Sequence, residues 1–438
     1  MNFKAVVYPR IDDKCVKYLS EKLNKLDFDP KFSFIFFSTN FYGKHNNVLK
    51  FLKDVIDFDS VCFFVEAFGD EKAIYSSGIS LLLFDERVDI FKTGDGILEK
   101  ELEKIAERLR GYDCALAVYP LLYFPSKIEL LKGLARDKLY TTLYQATKRL
   151  IFARIHSEWL LRNRVVIPIN RVLKILSKAG IPVGSVNIVP MEAKENTPLI
   201  LHNFEPIGRN VLVLGFKNAD IHFKDVFMKK GKSYEETLNV IKKQFAAKDF
   251  VNVKKAGVIL AEIDGTSVKN YVKRLRLKEI EKGNFIEKLE KEGFKTVTPY
   301  GLAFINKETF GSASLGLLST PLNLYISFFD LEEFFGEALV VGEVLAFDPA
   351  DFVKFDVSPE RKKIFFVDHS ALFEYRGEVY RIYEWLSENQ KNFFLVFTSC
   401  PSAFVKSGEN FLSENGRNIY YNGSGTTILL ELRDSEKR

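Results

Sequence analysis

Apolar positions along this chain follow two spacings. Short runs dense in β-branched and aromatic residues predict buried strands at 32–39 (Phe-Ser-Phe-Ile-Phe-Phe-Ser-Thr), 61–65, 79–84, 115–119 and 393–399 (Phe-Phe-Leu-Val-Phe-Thr-Ser). Between such runs apolar residues recur at helical spacing. Val16, Leu19, Leu23 and Leu26 form one stripe, with Asp12 or Asp13 as its cap, and Val48, Leu49, Leu52, Val55 and Ile56 form the next. The alternation of strand and helix predicts crossover units with helices packed on a sheet. Gly94-Asp95-Gly96 marks a turn before a charged helix, and 128–161 reads as mostly helical with Gly133 as its break. A short helix through Val172 and Leu176 closes at Gly180, and short strands follow at 183–189, 199–202, 211–216 and 221–227.

Around 229–232 the chain turns polar. A boundary near residue 225 divides it into expected domains 1–225 and 226–438. The second opens on an informative stretch, 253–275. Its run 258–263 suits a buried strand, Asp264-Gly265 a tight turn, and Thr266 or Ser267 a helix cap. Val268, Tyr271, Val272 and Leu275 then share one helical face, with Lys269, Lys273 and Arg274 opposite. Further strands are expected at 322–328, 338–347, 364–367 and 426–432, and helices at 285–294 and 380–386. The segment from 32 to 84 is echoed between 393 and 432. Both begin with a strand ending on small polar residues and reach a glycine, Gly78 or Gly425, before a closing strand.

Apolar strand, Glu-Ile-Asp-Gly, small residue, Val, Tyr and Leu within 253–275 resembles the opening of the C-terminal half of the FIST family (F-box and intracellular signal transduction proteins). Val396-Phe397-Thr398-Ser399-Cys400 resembles that half's apolar-Phe-Ser-Cys strand, and the helix closed by Gly180 with its following strands resembles the end of the N-terminal half. Pro401-Ser402 stands where the family carries Gly-Arg, so the chain resembles a divergent member. The resemblance implies two related halves, each a mixed β-sheet flanked by helices. It also implies a sensory domain for amino acids or related metabolites that signals through a separate protein partner.

Composition narrows the classes. A hydrophobic content of 47% with 41 Phe supplies packed cores and excludes a disordered chain. A net charge of +5, from 63 basic and 58 acidic residues, argues against a dedicated nucleic-acid binder. The Lys-rich stretch 229–282 is interspersed with Glu235, Glu236, Glu279 and Glu281 and reads as solvated helix surface. Cys15, Cys62, Cys114 and Cys400 lie far apart without a Cys-x-x-Cys pair, which suits reduced core thiols of a cytoplasmic protein. The start has no signal-peptide pattern, and the longest apolar run, 114–125, is too short to span a bilayer.

Candidate chemistry is sparse. The five histidines (His45, His156, His202, His222 and His369) show no metal-ligand spacing, so no metal or other cofactor is expected. Gly423-Ser424-Gly425-Thr426 lacks the lysine of a phosphate loop and reads as a hairpin. The expected ligand site lies on the polar ends of the two echoing strands: Ser38, Thr39 and Asn40 with Thr398, Ser399 and Cys400. The expectation is a stand-alone α/β small-ligand sensor with no catalytic residues. The alternatives are a hydrolase using Cys400, with Asp368-His369 as its candidate partner, and a ligand-free scaffold.

Overall fold

The computed structural model describes residues 1–433 apart from 11, 13, 40–45, 190–199, 227–230, 282–299, 309, 311, 318–323, 335, 345–347, 374–378, 407–412, 415, 416 and 420–424. The chain runs through one strand order three times. The first unit comprises β1 (Phe3–Tyr8), α1 (Cys15–Leu23), β2 (Phe32–Ser38), α2 (Asn46–Val55), β3 (Asp59–Val65), the short pair β4 (Ala67–Gly69) and β5 (Ile74–Tyr75), and β6 (Ile79–Phe84). The second comprises β7 (Asp89–Lys92), α3 (Leu98–Arg108), β8 (Cys114–Pro120), α4 (Lys127–Thr147), α5 (Ile151–Arg162), α6 (Ile169–Leu176), β9 (Val183–Ile188), the short pair β10 (Ile200–His202) and β11 (Glu205–Pro206), and β12 (Leu212–Phe216).

The third unit starts with β13 (Ala219–Asp225) and then departs into an insertion. The insertion holds α7 (Tyr234–Gln244), β14 (Phe245–Val251), β15 (Val253–Ala256), β16 (Ile259–Ile263), α8 (Val268–Glu281), β17 (Gly301–Ile305), β18 (Ser312–Gly316), β19 (Tyr325–Ile326) and β20 (Glu337–Val344). The unit resumes with β21 (Lys363–Asp368), α9 (Ser370–Phe373), α10 (Tyr380–Asn389), β22 (Phe393–Lys406), the pair β23 (Ser413–Glu414) and β24 (Arg417–Ile419), and β25 (Thr426–Leu432).

Each unit has the same sheet order: β1-β6-β2-β3, β7-β12-β8-β9 and β13-β25-β21-β22. The second and third strands of each pair in parallel, and the last strand lies antiparallel between the first and second. A parallel pair needs a crossover, and helices supply it in all three units. The repetition differs in detail from the expected echo. Its second copy begins at β21, so β22 corresponds to β3 and not to β2.

The units then combine. The first joins β10 and β11 in a six-stranded sheet. The second and third fuse through their third strands, β9 and β22, which pair antiparallel in a twelve-stranded sheet. The residue 225/226 position falls at the end of β13, and strands from both sides of it share this sheet. The two sheets pack face to face through phenylalanines. Phe34 meets Phe366 edge-on at 6.3 Å, and Phe36 stacks on Phe394 at 5.8 Å. Helices α1 and α2 cover the outer face of the six-stranded sheet. On the outer face of the other, α3 and α6 cover the second unit and α7 and α10 the third. The mixed α/β class with mixed sheets flanked by helices follows from this alternation.

The insertion builds a four-stranded sheet, β14-β20-β17-β18, and a three-stranded one, β15-β16-β19. Within it the expected strand, turn and helix of 253–275 form as β16, a turn and α8. Asp264 and Gly265 take positive φ in the turn, and the Ser267 hydroxyl accepts from the Asn270 N–H at 3.4 Å. The expected helix 285–294 lies outside the described residues.

The helical stretch 128–161 breaks at Lys148, which adopts a left-handed φ of 55°, and not at Gly133. Gly133 instead allows a close approach, because a Cβ there would sit 2.8 Å from the Phe124 ring. The buried side of the α4–α5 hairpin encloses His156. Its ring lies 5.6 Å from Tyr140 and stacks on Trp159 at 6.2 Å, with the Arg136 guanidinium 4.9 Å above the indole. Neither ring nitrogen has a hydrogen-bond partner. Burial, with Arg136 second, lowers the imidazole pKa from 6.5 to about 4, so the ring stays neutral. The stability this lends is fully present above pH 6.5 and lost as pH falls through about 4. His156→Phe should therefore flatten the acid limb of the stability profile by about 3 kcal/mol in urea titrations. Coincident profiles for the two proteins would mean that the ring accepts a proton without opening the fold.

Candidate functional site

Strands β21 and β22 run parallel, and their pairing ends where β21 reaches Asp368-His369-Ser370 and β22, at its middle, reaches Thr398-Ser399-Cys400. Along β21, Ile364 and Phe366 face the core between the sheets. Period-two alternation turns Asp368 the same way, and it is fully buried. Its carboxylate accepts the backbone N–H groups of Ser370 and Cys400, each at 2.8 Å, and so ties the two strand ends together. Burial pushes the Asp368 carboxyl above the usual carboxylate range, against the opposing pull of His369 and of these donors.

Beyond Asp368 the strands diverge. The His369 N–H donates to the Thr398 carbonyl at 2.7 Å, and its Nδ1 lies 3.1 Å from Ser399 Oγ. The next residue, Cys400, takes φ of 44°, a conformation that a side chain bearing a Cβ seldom adopts. A register shift between Ser399 and Ser402 accompanies it. The shift reverses the parity of β22. Before it Phe393, Leu395 and Phe397 pack under the helices of the third unit; after it Cys400 and Phe404 pack under those of the second. One strand thereby serves β21 with its first half and β9 with its second. The Cys400 thiol is buried, and desolvation pushes its pKa far up, with Asp368 adding to the shift. This is the opposite of an activated nucleophile.

On the second unit's side lies a buried polar group. Thr398 Oγ1 donates to the Asn187 carbonyl at 2.6 Å, and Asn187 Nδ2 donates to the Cys400 carbonyl at 2.9 Å and the Ser185 hydroxyl at 3.3 Å. Ser402 Oγ donates to the same Cys400 carbonyl at 3.2 Å. Asn187 Oδ1 and the Tyr119 hydroxyl are buried without a hydrogen-bond partner. Burial raises the Tyr119 pKa and Ser185 tempers the rise, while the Ser185 hydroxyl donates to the Ser402 carbonyl at 3.4 Å.

The first unit meets this place from the other side. The Glu66 N–H donates to the Phe397 carbonyl at 3.3 Å, and Thr39 Oγ1 donates to the Glu66 carboxylate at 3.4 Å. Ser38 is fully buried and already committed, because its hydroxyl accepts the Gly78 N–H at 2.9 Å. The third unit repeats that device, with Gly425 donating to Ser370 Oγ at 3.4 Å. Both glycines have positive φ, and a Cβ on Gly78 would fall 2.0 Å from the Tyr8 carbonyl oxygen. Asn40 lies outside the described residues, as do Gly423 and Ser424 of the expected hairpin.

Of the expected site residues, Thr398, Ser399 and Cys400 are therefore grouped with Asp368 and His369, and Thr39 reaches the same region through Glu66. The imidazole partners Ser399 and not the Cys400 thiol. Tyr119, Ser185, Asn187 and Glu66 carried no sequence signal, because the first three are ordinary strand residues, and Glu66 an ordinary bend residue between β3 and β4, until β22 crosses beside them. Among the described residues no three His, Cys, Asp or Glu side chains are placed to hold a metal ion. No described helix is long and apolar enough to cross a membrane.

Residues 235–346 match the model of a family described as the AF0772-like protein C-terminal domain. The match coincides with the insertion from α7 to β20 and includes the stretch that resembles the FIST C-terminal half. The chain is also similar to an uncharacterized protein of Archaeoglobus fulgidus, 28% identical over 334 residues, which span 75% of this chain and 90% of that protein. Neither comparison names the FIST family.

Proposed function

We propose that this protein is a small-ligand binding module, a stand-alone sensor for an amino acid or related polar metabolite. Its ligand binds where β21 ends beside the middle of β22 and is read out by a separate signalling partner in the cytoplasm. The observation that carries the reading is the pair of buried, unpartnered polar atoms, Asn187 Oδ1 and Tyr119 Oη, beside the strained Cys400. A buried polar group without a partner costs about 1–3 kcal/mol, which a bound polar molecule would recover. The resemblance to FIST sensory domains supports the same class, and its implied ligands set the order of testing.

A thermal-shift screen over amino acids and metabolites tests the proposal. A ligand at 100 times its Kd stabilises by about 2.7 kcal/mol, a rise of several degrees at this size. The expected result is a shift that shrinks in Asn187→Ala and Ser399→Ala. A shift unchanged in both variants would place the ligand elsewhere, and none across the library would remove the sensor reading.

The Ser399–His369 contact favours a second reading, a hydrolase. The nucleophile would be Ser399, because the imidazole stands at its hydroxyl while the Cys400 thiol is held protonated in the core. Ester turnover lost in both Ser399→Ala and His369→Ala, but kept in Cys400→Ser, would establish it. A stoichiometric protein partner captured without ligand would instead favour a scaffold.

A further inference from the structure

Large exposed aliphatic residues are concentrated on one element. Ile128, Leu131 and Leu139 of α4 and Leu150, Ile151 and Ile155 at the turn and on α5 are all at least 38% exposed, with Ile128 and Leu131 near 65%. At 100° per residue Ile128, Leu131, Ala135 and Leu139 fall on one stripe of α4. The opposite stripe, with Gly133, Asp137, Thr141 and Tyr144, is the buried one. The aliphatic stripe of this helix is thus its outer one, and it has no partner among the described residues. Lys127 and Lys138 flank the outer stripe on one side and Lys132 on the other. Residues 127–162 hold eight basic and three acidic side chains, of which Lys148 and Arg154 are taken up by Glu262 and Glu332 of the insertion. Lys127, Lys138 and Arg149 form no ion pair with a described residue, whereas Glu129 and Glu158 are taken up by Lys132 and Arg162.

We propose that the outer face of the α4–α5 hairpin docks on an anionic lipid surface, with its Ile and Leu side chains entering the interface and its lysines on the headgroups. An aliphatic stripe bordered by lysines is the composition of an interfacial helix. It is a poor match to a protein–protein contact, where aromatic residues and Arg are enriched and Lys is depleted. The aromatic side chains of this hairpin, Tyr140, Tyr144, Phe152 and Trp159, pack inward, Tyr140 and Trp159 against His156. Lys127, Lys138 and Arg149, without an ion pair among the described residues, give the face the sign that acidic headgroups attract. The inference is independent of the ligand site.

The test is co-sedimentation of the full chain with vesicles, either neutral phosphatidylcholine or the same lipid mixed with phosphatidylglycerol. Binding is expected to the mixed vesicles, to weaken at high salt, and to fall about twenty-five-fold in Lys127→Ala/Lys138→Ala, at about a factor of five for each charge removed. Leu131→Ser/Leu139→Ser alters only exposed positions, so folding is preserved, and binding should fall there as well. Absence of binding to both vesicle types, or equal binding by the wild type and both double variants, would overturn the proposal. A dimer in size-exclusion chromatography that Leu131→Ser/Leu139→Ser dissolves would overturn it too, by assigning the face to a second copy of the chain.

Discussion

Phe34→Ala should remove about 4 kcal/mol of unfolding free energy, the upper part of the range for deleting a buried aromatic ring. The ring is fully buried in the sheet–sheet interface. It meets Phe32 at 4.9 Å, Phe84 at 5.8 Å and Phe63 at 6.3 Å edge-on within its own sheet, lies over Phe36 at 5.8 Å, and reaches Phe366 of the opposite sheet. Removing it takes away the transfer free energy, the edge-to-face contacts within its sheet and the one with Phe366 that joins the sheets, and a site walled by five rings collapses poorly into a void. Phe34→Leu keeps most of the volume and should cost about 1.5 kcal/mol. Urea unfolding measures both. A loss below about 1 kcal/mol for the alanine variant would mean that the two sheets are not locked through this ring.

The second large effect is expected at Asp368. Asp368→Ala leaves the N–H groups of Ser370 and Cys400 buried without an acceptor, at about 1–3 kcal/mol each, so a loss near 4 kcal/mol is expected. The strand ends that position His369 and Ser399 should loosen with it, visible as faster amide exchange at Cys400. Asp368→Asn retains one acceptor and cannot ionise, which isolates the pH term. Burial raises the folded pKa above the ordinary 3.8. The stability contributed by the protonated carboxyl is therefore fully present below pH 3.8 and lost as pH rises through the folded value. The margin by which wild type exceeds Asp368→Asn should be widest in acid and narrow as pH rises. A margin that widens instead would show that the two N–H donors outweigh desolvation and hold the carboxylate ionised.

Some of the site was legible in residue order. Small polar residues closing a Phe-rich strand marked Thr398, Ser399 and Cys400, because a strand's carboxyl end is where polar groups meet an open edge of the core. The same signal at Ser38 pointed to a residue committed to Gly78, since a hydroxyl that accepts a backbone N–H looks the same in sequence as one that accepts from a ligand. The pairing of His369 with Ser399 and not Cys400 depends on the parity shift in β22. A positive φ at a cysteine leaves no trace in hydrophobic spacing.

Local periodicity by itself determined most of the strands and helices, the turn and helix of 253–275, and the mixed class, because burial patterns of period two and 3.6 are properties of neighbouring residues. Only the tertiary structure decided that the unit occurs three times, that β9 and β22 fuse two of its copies, and that Asn187, Tyr119 and Glu66 converge on the middle of β22. Those choices belong to contacts between strands hundreds of residues apart. The apolar faces that make them are nearly interchangeable in sequence, and the whole core must be assembled before one pairing is favoured over another.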